Sequence, residues 1–337
     1  MSRLILPRSI KRAYTRDNGM LTFDRQTIDS TGAFLVGELE RLDQNLHEPL
    51  VSVTWSRDID LRSDVSIADE VSSFTNSSFA AAGGASPNGK SWIGKDPTAI
   101  AGISLDIGKT PNPLTLWGME LGWTLPELAS AQKLGRPIDQ QKYAGLQMKY
   151  NMDVDEQVYI GDGPLGLFGL VNSPLVTATN VINGAAGTPG WTTKTPDEIL
   201  ADVNTLLTNT WLSSAYAIVP GKLLLPPAKF SYINSQKVSS AGNISILQFL
   251  KDNSLSNATN GRPLDIQPCK WLTGRGAGGT DRMVAYTQDE NRVRFPLVPL
   301  QRTPLEYKGI MQLTYYYGRL GVVEWVYPET GGYADGI

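Results

Sequence analysis

Histidine and cysteine occur once each, as His47 and Cys269, in a chain of 337 residues. A lone cysteine excludes an intrachain disulfide and fits synthesis in a cytoplasm. A zinc site would have to combine carboxylates with that single thiol, and a histidine base could only be His47. No apolar run is long enough to span a bilayer, and the N-terminus is charged early, with no signal-peptide core. A surplus of one charge sign is lacking too. The 30 Lys and Arg residues against 33 Asp and Glu leave a net −3, too little for electrostatics alone to hold nucleic acid tightly. What is present is material for a folded protein: 41% hydrophobic and 19% charged residues. The length exceeds one compact core and implies one elaborated domain or two to three subdomains. Its 33 glycines and 21 prolines point to many turns.

The chain is organised around residues 137–172. Pro137 suits a first helical turn, and the run after it predicts a long helix to about Val158. Its larger aliphatic residues, Leu146, Met148, Met152 and Val158, form no single stripe, which predicts contacts on several sides. Gly161 ends the helix as a C-terminal cap. Then comes a glycine-rich corner, Gly161-Asp-Gly-Pro-Leu-Gly-Leu-Phe-Gly-Leu-Val-Asn172, in which Gly163 is expected to be intolerant of a β-branched residue. Before the helix, residues 1–50 read as a basic arm (Arg3, Arg8, Lys11, Arg12, Arg16, Arg25) leading to a short helix at 31–46, with His47 as its polar C-terminal residue. Residues 51–123 read as a long β excursion. Val51, Val53 and Trp55 alternate, as do Ile103, Leu105 and Ile107, and then Leu114 and Leu116. Between them, 72–91 is poor in large apolar residues and needs support from outside itself. Thr124-Leu-Pro-Glu127 and Thr195-Pro-Asp-Glu198 are capping boxes that start helices. The second precedes an apolar face at Ile199, Val203, Leu206 and Leu207. Strands are expected at 216–219, 222–225 and 265–267, helices at 228–236 and 244–252. A hairpin is expected from Met283–Tyr286 to Val293–Phe295, and a long aromatic strand region at 310–327.

Several motif matches fail on context. Gly84-Ala-Ser-Pro-Asn-Gly-Lys-Ser91 fits a phosphate-loop pattern, yet no strand enters it and Gly94 and Pro97 fall where its helix should run. Gly161-Asp-Gly-Pro-Leu-Gly166 fits a dinucleotide pattern but follows a helix. Asp153, Asp155, Glu156 and Asp162 cluster in sequence, but Asp155 points away from the face of Asp153 and Glu156, so a solvated or salt-bridged face is expected. Asn76-Ser-Ser78 and Asn257-Ala-Thr259 are glycosylation triplets without a secretion signal. No catalytic, cofactor-binding or metal-binding residue is assigned, and no cofactor is expected.

The order of parts, with Gln157-Val-Tyr-Ile-Gly-Asp-Gly-Pro-Leu-Gly-Leu-Phe-Gly-Leu-Val-Asn172 as its most specific piece, resembles the major capsid protein of tailed double-stranded DNA phages. The resemblance covers nearly the whole chain and implies an α+β, HK97-like capsid fold. Its parts would be an N-terminal arm at 1–50, an extended loop at 51–118 and a peripheral domain with the spine helix at 119–172. An axial domain would follow at 173–305, with C-terminal strands at 306–337 returning to the peripheral domain. The implied function is non-enzymatic: copies assemble as hexamers and pentamers into an icosahedral shell around the genome, in the host bacterial cytoplasm. The implied partners are further copies, a separate scaffolding protein (the short arm argues against a fused scaffold segment), a portal, decoration proteins and nearby packaged DNA, with no membrane. Lys90, Lys95 and Lys109 lie in the loop, but nothing identifies a crosslinking partner. Two other readings are an encapsulin-type compartment of the same fold and a carboxylate-based hydrolase using two acids and no histidine.

Overall fold

The computed structural model describes residues 51–81, 103–134, 138–239 and 242–337. The arm with His47, the 84–91 loop, Lys90, Lys95 and Pro137 lie outside these residues. Residues 51–337 form one unit. Its long helix runs Ile138–Tyr159 (here α3; α1 is Trp55–Asp58 and α2 is Leu125–Leu134). The buried residues of α3 include Leu146, Tyr150, Val154 and Val158, an i, i+4 stripe. This corrects the sequence expectation of no single stripe. Tyr150 and Val154 complete the row, whereas Met152 is exposed.

The helix ends at Gly161, whose φ of +75° suits only glycine well. The chain then folds back: Leu170 N–H donates to the Val158 carbonyl and Val171 N–H to that of Tyr159. Asn172 locks the corner, its Oδ1 accepting from Gly169 N–H at 2.7 Å and its Nδ2 donating to the Ile160 carbonyl at 2.8 Å. The critical glycines are therefore Gly161 and Gly169, and not Gly163. A Cβ at Gly169 would lie 2.3 Å from the Tyr159 carbonyl, and one at Gly161 2.4 Å from the Leu167 carbonyl oxygen, while one at Gly163 meets nothing within 4 Å. Gly169→Ala is expected to lower unfolding free energy by about 3 kcal/mol. Gly163→Ala should stay within about 0.5 kcal/mol. Denaturant midpoints of the two variants check this.

Two larger sheets carry most of the rest. A five-stranded sheet has the order β5 (Thr177–Asn180), β13 (Gly331–Asp335), β8 (Arg282–Tyr286), β6 (Lys222–Leu225), β7 (Asp265–Pro268). Period-two alternation gives it two buried faces. Leu223, Leu225, Met283, Ala285 and Ala334 pack under helices α4 (Pro196–Ser213), α5 (Pro227–Ser235) and α6 (Ile246–Asn253). Leu224, Val284, Tyr286 and Tyr333 face the core shared with α3. The Thr195 capping box forms as expected, and Ile199, Val203, Leu206 and Leu207 are all buried. A further helix, α7 (Leu255–Asn260), holds the second glycosylation triplet.

The six-stranded sheet runs β1 (Asp60–Arg62), β9 (Val293–Arg302), β11 (Met311–Leu320), β10 (Glu306–Lys308). In addition β4 (Thr115–Thr124) pairs with β11 and β12 (Glu324–Trp325) with β9. Three sequence expectations change here. The expected hairpin across Asp289–Asn291 is not one, because β8 and β9 sit in different sheets. Tyr216–Val219 is no strand: Ala215 and Tyr216 take left-handed φ of +52° and +62°. Val51–Trp55 is no strand either, since a carboxylate takes the Thr54 and Trp55 amides and starts α1 instead.

Candidate functional site

The remaining strands, β2 (Val71–Ala81) and β3 (Ile103–Pro113), pair antiparallel along their whole length, from Val71 opposite Pro113 to Ala81 opposite Ile103. Eleven residues per strand make a ribbon roughly 35 Å long. It forms a sheet of its own, with no third strand among the described residues. Alternation places Phe79, Ile103, Leu105 and Ile107 on one face, with Phe79 directly opposite Leu105. These four are 73, 75, 54 and 62% exposed. The Ile103-Leu105-Ile107 alternation thus marks a strand as expected, but no described element covers its apolar face. A bare two-stranded ribbon is marginal in water, and a contiguous apolar patch marks an interaction surface. Lys109, opposite Thr75, is on the same ribbon and exposed.

One buried carboxylate, Glu324, fixes where the ribbon leaves the body, and two more, Asp155 and Asp58, tie down the segment at 54–58. Glu324 on β12 accepts from Arg294 Nε at 2.7 Å and from the Ser72 hydroxyl at the foot of β2. Arg62 adds bonds to Ser72 Oγ at 2.9 Å and the Ser73 carbonyl at 3.1 Å. Arg319 on β11 holds the other foot, donating to the Ile67 and Leu114 carbonyls. Asp155 on α3 is fully buried and caps α1, accepting from Thr54 N–H at 2.8 Å, Trp55 N–H at 3.1 Å and Trp271 Nε1 at 2.7 Å. Asp58 is equally buried. Arg57 grips it with two bonds of 2.7 and 2.8 Å, Lys222 Nζ lies 3.1 Å away, and the Tyr159 hydroxyl donates to it. The Tyr286 hydroxyl donates to the Asp58 carbonyl.

Burial alone would raise the Asp58 carboxyl. The bonds from Arg57 and Tyr159 and the charge of Lys222 outweigh it and hold the carboxyl below its usual range. Burial pushes the Tyr159 and Tyr286 phenols up, with Asp58 adding to the effect. Burial pushes the Cys269 thiol up to about 12, so it stays a protonated core group. The clustered acids of the sequence separate in space. Asp155 serves the buried cap, while Asp153 accepts from Trp117 Nε1 and pairs with Lys149 on the helix surface. Among the described residues, no three His, Cys, Asp or Glu side chains converge to hold a metal, and no helix is long and apolar enough to cross a membrane. Gly161 and Gly166 both have positive φ in a turn that follows a helix, the backbone role read from the sequence.

Sequence reasoning passed over Asp58, Lys222 and Glu324. A usable signal was there: Lys222 opens Lys-Leu-Leu-Leu225 and Glu324 interrupts Val322-Val-Glu-Trp-Val326. A single charge within a buried strand run calls for a buried partner.

Comparison with known proteins gives one family match, to the major capsid protein family model over residues 89–337. No curated protein matches by sequence. Among solved structures, the chain is similar to the capsid of Myoviridae phage XM1, with TM-score 0.70 and 17% identity over 95% of this chain and 100% of that one. The capsid of a native GTA particle aligns with TM-score 0.57 and 13% identity, covering 91% and 97%. The Mycobacterium phage Bobi structure aligns at 0.54 and 12%, covering 90% and 97%. The mixed helix and sheet fold is thus the HK97-like fold of phage capsids.

Proposed function

The chain belongs to the major capsid protein family, and from that premise we propose that its copies close into the icosahedral shell of a tailed double-stranded DNA phage, as hexamers and pentamers. The observation that carries this reading is the ribbon's uncovered face. Phe79, Ile103, Leu105 and Ile107 are exposed on strands with no covering element among the described residues. Fully covering one such side chain is worth about 1.5–3 kcal/mol, so a neighbouring copy gains several kcal/mol at each contact. Repeated around a closed symmetric shell, that gain selects assembly. The anchored root gives the ribbon a fixed direction of departure, which a shell needs so that each copy meets the next in one geometry.

The family is structural and not an enzyme class. A scaffolding protein, a portal, decoration proteins and assembly in the host cytoplasm are part of this proposal, as is DNA packed inside with only loose contact to a chain of net charge −3. The five-part division of the chain is kept as a proposal, with strands crossing it. From the 173–305 part, β9 joins the six-stranded sheet, and from the 306–337 part, β13 joins the five-stranded one. The test is electron microscopy and sedimentation of the purified chain, alone and with its phage's scaffolding protein. Closed particles are expected. A chain that stays monomeric under both conditions would overturn the reading.

A further inference from the structure

One cleft, of about 770 Å³, stands apart from the ribbon and its root. It opens between the C-terminal end of α4, the end of α7 and the loops leading into β6 and out of β8. Three features mark it as a site for a ligand. First, its rim is strained: Ala215 and Tyr216 are successive non-glycine residues with left-handed φ, a conformation that costs about 1–2 kcal/mol per residue. That turn sets the Tyr216 ring against Trp211 edge-on, centroids 5.1 Å apart, while leaving Tyr216 59% exposed. Second, Thr287 lines the cleft, and its hydroxyl is buried and without a hydrogen-bond partner among the described residues. A buried hydroxyl left unpaired is costly. Third, the lining carries three cations, Lys222, Arg262 and Arg292, against one carboxylate, Asp265, on a chain that is net acidic. Lys222 is committed to Asp58 and lies 3.7 Å from Asp265. Arg292 is shared with Asp289 at 3.2 Å. Arg262 has no ion pair among the described residues and is exposed.

We infer that this cleft receives a carboxylate-bearing segment of a second copy of this chain, with Arg262 and Arg292 binding the carboxylate, Thr287 bonding the segment, and Tyr216 and Trp211 packing on its apolar part. Charge complementarity favours an acidic peptide. One unpaired guanidinium, Arg262, with Arg292 shared with Asp289, falls well short of the six to ten phosphate contacts, roughly, of a nucleic-acid site. The inference rests on the shell reading, which makes a second copy the neighbour at hand.

Photo-crosslinking tests it. Tyr216 is replaced by the photoreactive residue p-benzoylphenylalanine, and both assembled particles and unassembled chain are irradiated. Covalent dimers are expected from particles only, with the captured peptide containing Asp or Glu. Particles that give no dimer, or that crosslink instead to nucleic acid or a foreign protein, overturn this inference and leave the shell reading standing. A failure to form particles overturns both. Two substitutions give an independent readout. Arg262→Glu should raise the concentration needed for assembly about tenfold or more, the effect of losing one charge-assisted bond, with the melting of the isolated chain unchanged. Thr287→Val should stabilise the isolated chain, by removing an unpaired hydroxyl, and yet weaken assembly. Equal assembly by both variants and the unaltered chain overturns the inference.

Discussion

A chain carrying Leu105→Asp together with Ile107→Asp is expected to stay folded and to form no particles. In the isolated chain these side chains are 54 and 62% exposed, so a carboxylate at either position is already hydrated. Surface substitutions of that kind shift stability within about 0.5 kcal/mol. If a neighbouring copy covers the same positions in the shell, as proposed, each buried unpaired carboxylate costs several kcal/mol. Every copy repeats the cost, so the concentration needed for assembly should rise by more than about a thousandfold, corresponding to some 4 kcal/mol per copy. Circular dichroism melting should be unchanged while sedimentation velocity shows only small species. The conservative change Leu105→Ile should assemble like the unaltered chain. Normal particle yield from the double aspartate variant would mean that this face is not a contact.

The second large effect is in the folded chain itself. Asp58→Ala leaves Arg57, Lys222 and Tyr159 facing a hole where a buried carboxylate had satisfied all three. Removing one partner of a buried ion pair costs about 3–5 kcal/mol. The exposed Glu156, changed to Ala, should cost about 0.5 kcal/mol or less. The pH dependence has a definite sign. The folded-state carboxyl of Asp58 lies below its ordinary value of 3.8. Its contribution is therefore complete above that value and is lost as pH falls through the lower, folded-state value. Urea titrations between neutral pH and pH 2 should show the unaltered chain losing stability steeply in that acid window. Asp58→Ala should start lower and lose less. Parallel pH curves for the two chains would show that the Asp58 ion pair contributes nothing.

Much of the architecture was legible because local rules agreed with the tertiary outcome. Thr195 and Glu198 start α4 where their pattern predicts, and Thr124 and Glu127 bond each other's amides at the start of α2. Gly161 ends α3 for the reason its residue type suggests. Illegible parts were those decided by residues distant in sequence. Asp155 turned Val51–Trp55 from a strand into a capped helix start across about a hundred residues. Sheet membership, which separates β8 from β9, depends on which distant strand each one meets. The α3 stripe was missed because two of its four positions, Tyr150 with its polar tip and Val154, were not among the larger aliphatic residues in which it was sought. For the candidate site, the alternation at 103–107 was visible, but the absence of a covering element among the described residues was not. Alternation reports that one face is apolar and says nothing about which chain buries it.

A cryo-electron microscopy reconstruction of the assembled particle, read at the ribbon, is the most direct check. The account predicts that Phe79, Ile103, Leu105 and Ile107 of each copy lie in contact with side chains of an adjacent copy, with the root at Glu324 and Arg62 unchanged. A closed shell in which those four side chains still face open solvent would contradict it.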